Sequence, residues 1–432
     1  MSRCATCVLF TTALLVLAAA RPAPSQQPGK GAEPAPAAEK GVADPAAAPA
    51  AEIGVENPSS HGQDAQRRPG ADATQEPDQS AVQPPTPLGG EMLALRDQLL
   101  RSVAQVYARP LNTRDHLPAE IIAFCEAFGH TAEILLEAGS SHPVNGVGAL
   151  CWNYPCGGYR LLRTDGSGII ARVGYGYQRR PGQFLAMLAG NGVPPAYEIR
   201  IGEHKATVAD LVAAEKAACL AGSDLSGVLF GLAFYTEPGE TWQNAQGDAW
   251  SVERLVHEEL DRTADPSSVA VIDRLAGLSF AAVRIGDEKW ADASLAARVK
   301  AHIAECQEFA LRLQNNDGSW HPDFFARQGQ TSDSAGSLRA TGAILAWLAF
   351  SLPEERLSDP RLVRSLQYVN QQITSRASSR MAAPTSTLDV LAVMSGVRAI
   401  SLYDARYFTP RVPPEPRSED ANPAQSSTAA AR

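Results

Sequence analysis

From Gly89 to Pro410 the apolar residues recur with a period near 3.6, in one segment after another. That period returns side chains to one face of an α-helix, so it marks amphipathic helices. Residues 91–107 carry Leu95, Leu99, Val103 and Val106 on such a stripe. Residues 118–137 carry Ile121, Ile122, Phe128, Ile134 and Leu135, and open on Pro118, at the position where a first helical turn tolerates proline. The pattern predicts further helices over 182–190, 207–222, 223–235, 251–263, 269–285, 291–313, 337–352, 360–375 and 387–402, with another inside 145–162. Strand-like alternation is confined to a brief run, Tyr197–Ile201. The expectation is an all-α domain of about twelve helices joined mostly by short Gly-, Pro-, Asn- and Asp-rich loops.

Two arrangements suit such a chain: a helical solenoid, or helix pairs closed into a ring. Residues 227–234 and 343–350 are apolar on most faces, so both segments must be buried on several sides. Others carry a single apolar stripe. Buried inner helices wrapped by amphipathic outer ones favour the closed double layer.

The ends are made of different material. Residues 1–20 read as a secretory signal: Arg3 is the only charge, and the apolar run Val8–Ala20 ends in three alanines. The run is shorter than the roughly 17–25 residues a spanning helix needs. Cys4 and Cys7 precede it, so a lipid-modified cysteine at the cleavage site is not expected. Residues 21–88 are mostly Ala, Pro, Gln, Glu and Gly, without Phe, Trp or Tyr, and cannot bury enough apolar surface to offset chain entropy. They read as a disordered tether, and 411–432 as a disordered tail. The folded part is then 89–410, in an exported chain of the periplasm, cell envelope or exterior, with no integral membrane segment after cleavage. A net charge of −9 without a basic cluster argues against nucleic acid.

After cleavage five cysteines remain: Cys125, Cys151, Cys156, Cys219 and Cys306. An odd number in an exported protein leaves at least one unpaired or intermolecular. Cys151 and Cys156 are near enough in sequence to bridge, whereas Cys219 and Cys306 lie among Ala and Leu, as buried free thiols do. The mature chain has no Cys-x-x-Cys pair, and neither a metal nor a cofactor is expected.

The chemistry-bearing residues form three groups. Glu126, His130, Glu133 and Glu137 share a face of the expected 118–137 helix, where Glu126 and His130 are candidate metal ligands or catalytic groups and Glu133 a candidate base. Glu253, His257 and Asp261 repeat that spacing on 251–263, beside an ordinary Arg254–Glu258 pair. In both groups a solvated charged face is the stronger reading. The third group is aromatic. Trp152, Tyr154, Tyr175 and Tyr177, with Tyr159 and the cations of Val173–Arg180, form a candidate surface for stacking a sugar or another flat ligand. Its alternative is a loop packed on helix ends.

One connection has a recognisable form. Between the 291–313 and 337–352 helices lies Gln314-Asn315-Asn316-Asp317-Gly318-Ser319-Trp320, in which Asp-Gly makes the turn and Trp320 points back at helix ends. The loops Arg163–Gly168 and Glu237–Asn244 echo it faintly. This Gln-x-x-Asp-Gly-Ser-Trp string resembles the "QW" turn of the squalene/terpenoid cyclase and protein prenyltransferase superfamily. The resemblance is most specific over 290–375 and implies an α/α toroid in which Gln314, Asp317, Gly318 and Trp320 have a structural role. Residues 90–405 also resemble a group of exported, chiefly planctomycete, bacterial proteins of uncharacterised function. Where those relatives carry Cys-Gly-Gly-Thr-His, this chain reads Val269-Ala270-Val271-Ile272-Asp273, and Ala343 stands where a His often follows Thr-Gly. The Asp-x-Asp-Asp cluster of terpenoid cyclases and the Asp-x-Cys zinc pair of prenyltransferases are also missing. The expected function is therefore a cell-envelope binding or interaction domain with a ligand or protein partner of unknown kind. The alternative is an enzyme acting on a glycan or lipid-derived ligand in the ring cavity, with cyclase or prenyltransferase chemistry itself disfavoured.

Overall fold

The computed structural model describes residues 88–411 apart from 166–167, 264, 287–288 and 380–385. The expected signal (1–20) lies outside the described residues, as do the expected tether (21–88) apart from Leu88 and the expected tail (411–432) apart from Arg411.

Twelve α-helices follow one another among the described residues. They are α1 (Gly90–Tyr107), α2 (Pro118–Phe128), α3 (Gly146–Cys151), α4 (Gln183–Gly190), α5 (Val208–Ala217) and α6 (Ser226–Tyr235). The others are α7 (Val252–Asp261), α8 (Ala270–Ile285), α9 (Ala293–Leu313), α10 (Ser334–Ser351), α11 (Pro360–Ser379) and α12 (Thr387–Tyr403). The even-numbered helices other than α8, which carries Asp273, Arg274 and Arg284, are nearly free of charge. α4 and α6 carry none, α10 only Arg339, α2 only Glu120 and Glu126, and α12 only Asp389 and Arg398. Such helices must be covered on several sides. They pack in order, α2 to α4 to α6 to α8 to α10 to α12, and α12 packs back on α2. The odd-numbered helices lie against them: α3 on α2, α5 on α6, α7 on α6 and α8, α9 on α8, and α11 on α10 and α12. α1 covers α11 and α12. Ser102 donates to Asn370 Oδ1 at 2.6 Å in that contact, and Arg96 pairs with Asp404 at 2.6 Å.

The expectation of an all-α chain needs correction. Eight strands of three or four residues form four antiparallel hairpins: β1 (Glu133–Leu135) with β2 (Pro143–Asn145), β3 (Leu162–Asp165) with β4 (Gly168–Ala171), β5 (Glu198–Ile201) with β6 (His204–Thr207), and β7 (Thr241–Gln243) with β8 (Ala249–Ser251). Three of them connect an even helix to the next odd one. In each of the three the last strand residue is also the N-cap: Asn145 accepts from Gly148 N at 2.9 Å, Thr207 from Asp210 N at 3.3 Å and Ser251 from Arg254 N at 3.1 Å. A side-chain oxygen there satisfies an amide that the first helical turn leaves unpaired. The Arg163–Gly168 and Glu237–Asn244 loops belong to two of these hairpins, with Trp242 paired across to Trp250. They are not copies of the Gln314 turn.

The 118–137 helix also ends early. Gly129 adopts φ +64°, which closes α2 at Phe128, and Glu133 falls in β1. The apolar residues Ile134 and Leu135 that extend the helical stripe belong to a strand instead.

In the Gln314 turn, the Gln314 side chain donates to Arg361 O at 2.8 Å and Ser365 Oγ at 2.7 Å, both on α11. Trp320 is fully buried. Its indole donates to Ala310 O of α9 at 2.7 Å and its amide to Thr341 Oγ1 of α10 at 3.0 Å. Four hydrogen bonds thus join three helices at one turn.

Candidate functional site

Six helices packed in a cycle leave space between them where their inward side chains are small. That space is a cavity of two lobes, one of about 90 Å³ and one of about 320 Å³. Alanines 123, 276, 343 and 346 open the smaller lobe, and Ala186 and Gly190 the larger. Most of the other lining residues are apolar, with Phe230 and Phe350 facing both lobes and Trp347 and Met394 facing the smaller. Phe230, Phe280 and Phe350 stack in series across α6, α8 and α10, at 4.4 and 6.4 Å between centroids. The smaller lobe reaches Val269 and Arg339 near the starts of α8 and α10. The larger reaches Gly129, Asn191, Val283 and Glu354 near the ends of α2, α4, α8 and α10.

Charge gathers at the junction and in the smaller lobe, while Glu354 and Arg406 border the larger. Glu126, Gln183, Asp273 and Arg398 face both lobes, and Arg179 and Arg339 face the smaller one. Arg398 Nη1 lies 3.5 Å from Glu126 Oε2, and Arg180 forms an ion pair with Asp273. Burial pulls Arg179, Arg180 and Arg339 below the ordinary arginine value, Arg180 to about 10, with the neighbouring Arg179 charge adding to the shift of the other two. At that value Arg180 remains cationic at neutral pH. Arg179 is placed by the loop entering α4, where its amide donates to Gln183 Oε1 at 3.0 Å.

Of the residues singled out by spacing, only Glu126 reaches this cavity. His130 is exposed in the turn after Gly129, and Glu133 is no longer on the same helix. Glu253 accepts from Ala291 N at 2.8 Å, and exposed His257 pairs with Asp261 at 3.0 Å, on a helix that does not border the cavity. None of the four aromatics lines either lobe. Arg200 covers the Trp152 ring at 4.5 Å, Tyr177 packs edge-on against Tyr159 at 5.3 Å, and Tyr175 is 81% exposed. The five described cysteines are all free, Cys151 and Cys156 included. Cys151 ends α3 in the core, while the Cys156 thiol turns to Tyr154 O at 3.5 Å. Burial pushes both thiols up to about 12. Among the described residues no three His, Cys, Asp or Glu side chains come together as a metal site.

Arg339 and Arg398 escaped the reading of motifs. Their signal was present: each is a lone basic residue in a long, otherwise apolar helix, and such a residue needs a special environment. Val269, Ile272, Asp273 and Ala343 all line the smaller lobe. The fold and site define a helical chain with a mainly apolar cavity whose smaller lobe is bordered by Arg179, Arg339 and Arg398. Comparison with family models, curated proteins and solved structures gave no match.

Proposed function

We propose that the helical part is an α/α toroid of inner and outer helices, and that it serves an exported protein as a binding domain whose central cavity holds a small, mainly apolar ligand. The observation that carries the reading is the cavity itself, with apolar walls supplied by the helices of the contact cycle and a volume in the range that ligand sites occupy. The return of α12 to α2 and the joining of α9, α10 and α11 through Gln314 and Trp320 support the toroid. Export rests on the character of residues 1–20. Among the described residues no helix is long and apolar enough to cross a membrane.

An enzyme in the same cavity would draw on Glu126 and Asp273. Each is ion-paired with an arginine, and the neighbourhood offers no histidine, which favours binding over proton transfer. The test is titration of the full chain with N-phenyl-1-naphthylamine, a neutral apolar fluorophore. Saturable binding is expected, weakened at least tenfold by Ala276→Phe, which fills the junction of the lobes. Equal binding by both proteins would place the ligand elsewhere and sink the reading.

A further inference from the structure

We infer that the ligand of this cavity carries a compact oxyanion, a carboxylate or a phosphate, held between Arg179 and Arg339 in the smaller lobe. The inference rests on the cavity being a ligand site and goes on to name the head group.

Charge complementarity is the argument. Four guanidinium groups, of Arg179, Arg180, Arg339 and Arg398, gather at this end of the cavity; Glu126 and Asp273 line it, and Asp224 and Asp333 stand near enough to act on Arg180 and Arg339 from outside the lining. Arg398 takes Glu126, and Arg180 contacts Asp273, although Arg180 Nε and Nη2 make no hydrogen bond there. The Arg179 and Arg339 guanidinium groups have no ion pair among the described residues, although both border the cavity, and Arg339 Nε is buried without an acceptor. The two are close enough for the charge of Arg179 to depress Arg339 further. Two half-buried like charges without a direct ion pair are costly, and the cost is met when an anion supplies acceptors. A carboxylate or phosphate matches a guanidinium fork with two oxygens at once, a geometry that a single ammonium does not offer. Backbone contacts hold both arginines where they stand: the Arg179 amide donates to Gln183 Oε1 at 3.0 Å, and the Arg339 carbonyl accepts from Ser395 Oγ at 2.9 Å. The apolar remainder of the ligand then passes the Phe230–Phe350 junction into the larger lobe. The ligand is an amphiphile, acidic at one end and hydrocarbon-like at the other.

The experiment is calorimetric titration of the full chain with 1-octanol, octanoate and octyl phosphate, repeated on Arg179→Gln, Arg339→Gln and Arg339→Lys. At least one of the two anions should bind tenfold or more tightly than octanol. Both Gln variants should abolish that preference, and their circular dichroism and thermal unfolding, matched to the parent chain, report that each variant still folds. Arg339→Lys should recover only part of the preference, because it restores charge without the fork. The tighter of the two anions identifies the head. Octanol binding with no preference for either anion overturns the oxyanion site and leaves the apolar cavity standing. Failure of all three to bind overturns both readings, and an anion preference untouched by the arginine variants moves the head group away from Arg179 and Arg339.

Discussion

Gly318 shows how much one position can decide. Its φ is +89°, and a Cβ there would lie 2.5 Å from the Arg364 carbonyl carbon and oxygen. Glycine is therefore required twice over, for the left-handed backbone and for the close approach of α11. Gly318→Ala should destabilise the chain by about 2–4 kcal/mol, combining backbone strain with overpacking. Denaturant unfolding reads this directly, and an unchanged midpoint would mean that the turn does not pin α11. The Asp-Gly turn and the buried Trp320 were legible from residue types, because local backbone chemistry demands them. The partners of Gln314 were not, since Arg361 and Ser365 lie 47 and 51 residues away.

At the scale of elements, the long helices were readable and the hairpins were not. An 18-residue helix such as α10 repeats its pattern through five turns, whereas β7 and β8 have three residues each, too few to display alternation. The stripe running past Phe128 into Ile134 and Leu135 concealed the end of α2, because Phe128 and Ile134 are buried in one core although they belong to different elements. Helix α5 holds a titrating group that spacing did not reveal. Burial raises the Glu215 carboxyl from 4.5 to about 7, partly offset by a hydrogen bond from the Gly182 backbone where α4 begins. The folded state thus keeps a proton that the unfolded chain releases, so this group makes stability fall as pH rises from about 4.5 to 7. Glu215→Gln should add on the order of 2–3 kcal/mol at pH 8 and close to nothing at pH 4. Unfolding curves at the two pH values test it, and an equal gain at both would show that the carboxyl titrates normally.

For the molecule as a whole, the contact between α12 and α2 matters most. It joins segments about 270 residues apart, and the Arg96–Asp404 pair ties α1 to the same region. A chain stabilised this way should open its two ends together. Hydrogen exchange of amides in α2 and α12 should therefore report the same opening free energy, close to that of global unfolding. A markedly lower value for α12 would show that the cycle opens at that contact as an independent event.

The sequence by itself determined which segments are helical, which helices are buried and where the Gln314 turn falls. These follow from local backbone preference and from the period of apolar side chains, both of which act within a few residues. Only the tertiary structure decided the site. Glu126, Arg179, Asp273, Arg339 and Arg398 come from four helices and a loop, and they meet because those helices pack in a cycle around small side chains. Spacing along one helix selected His130, Glu253 and His257, which face outward, because it tells which residues share a face but not which face turns inward.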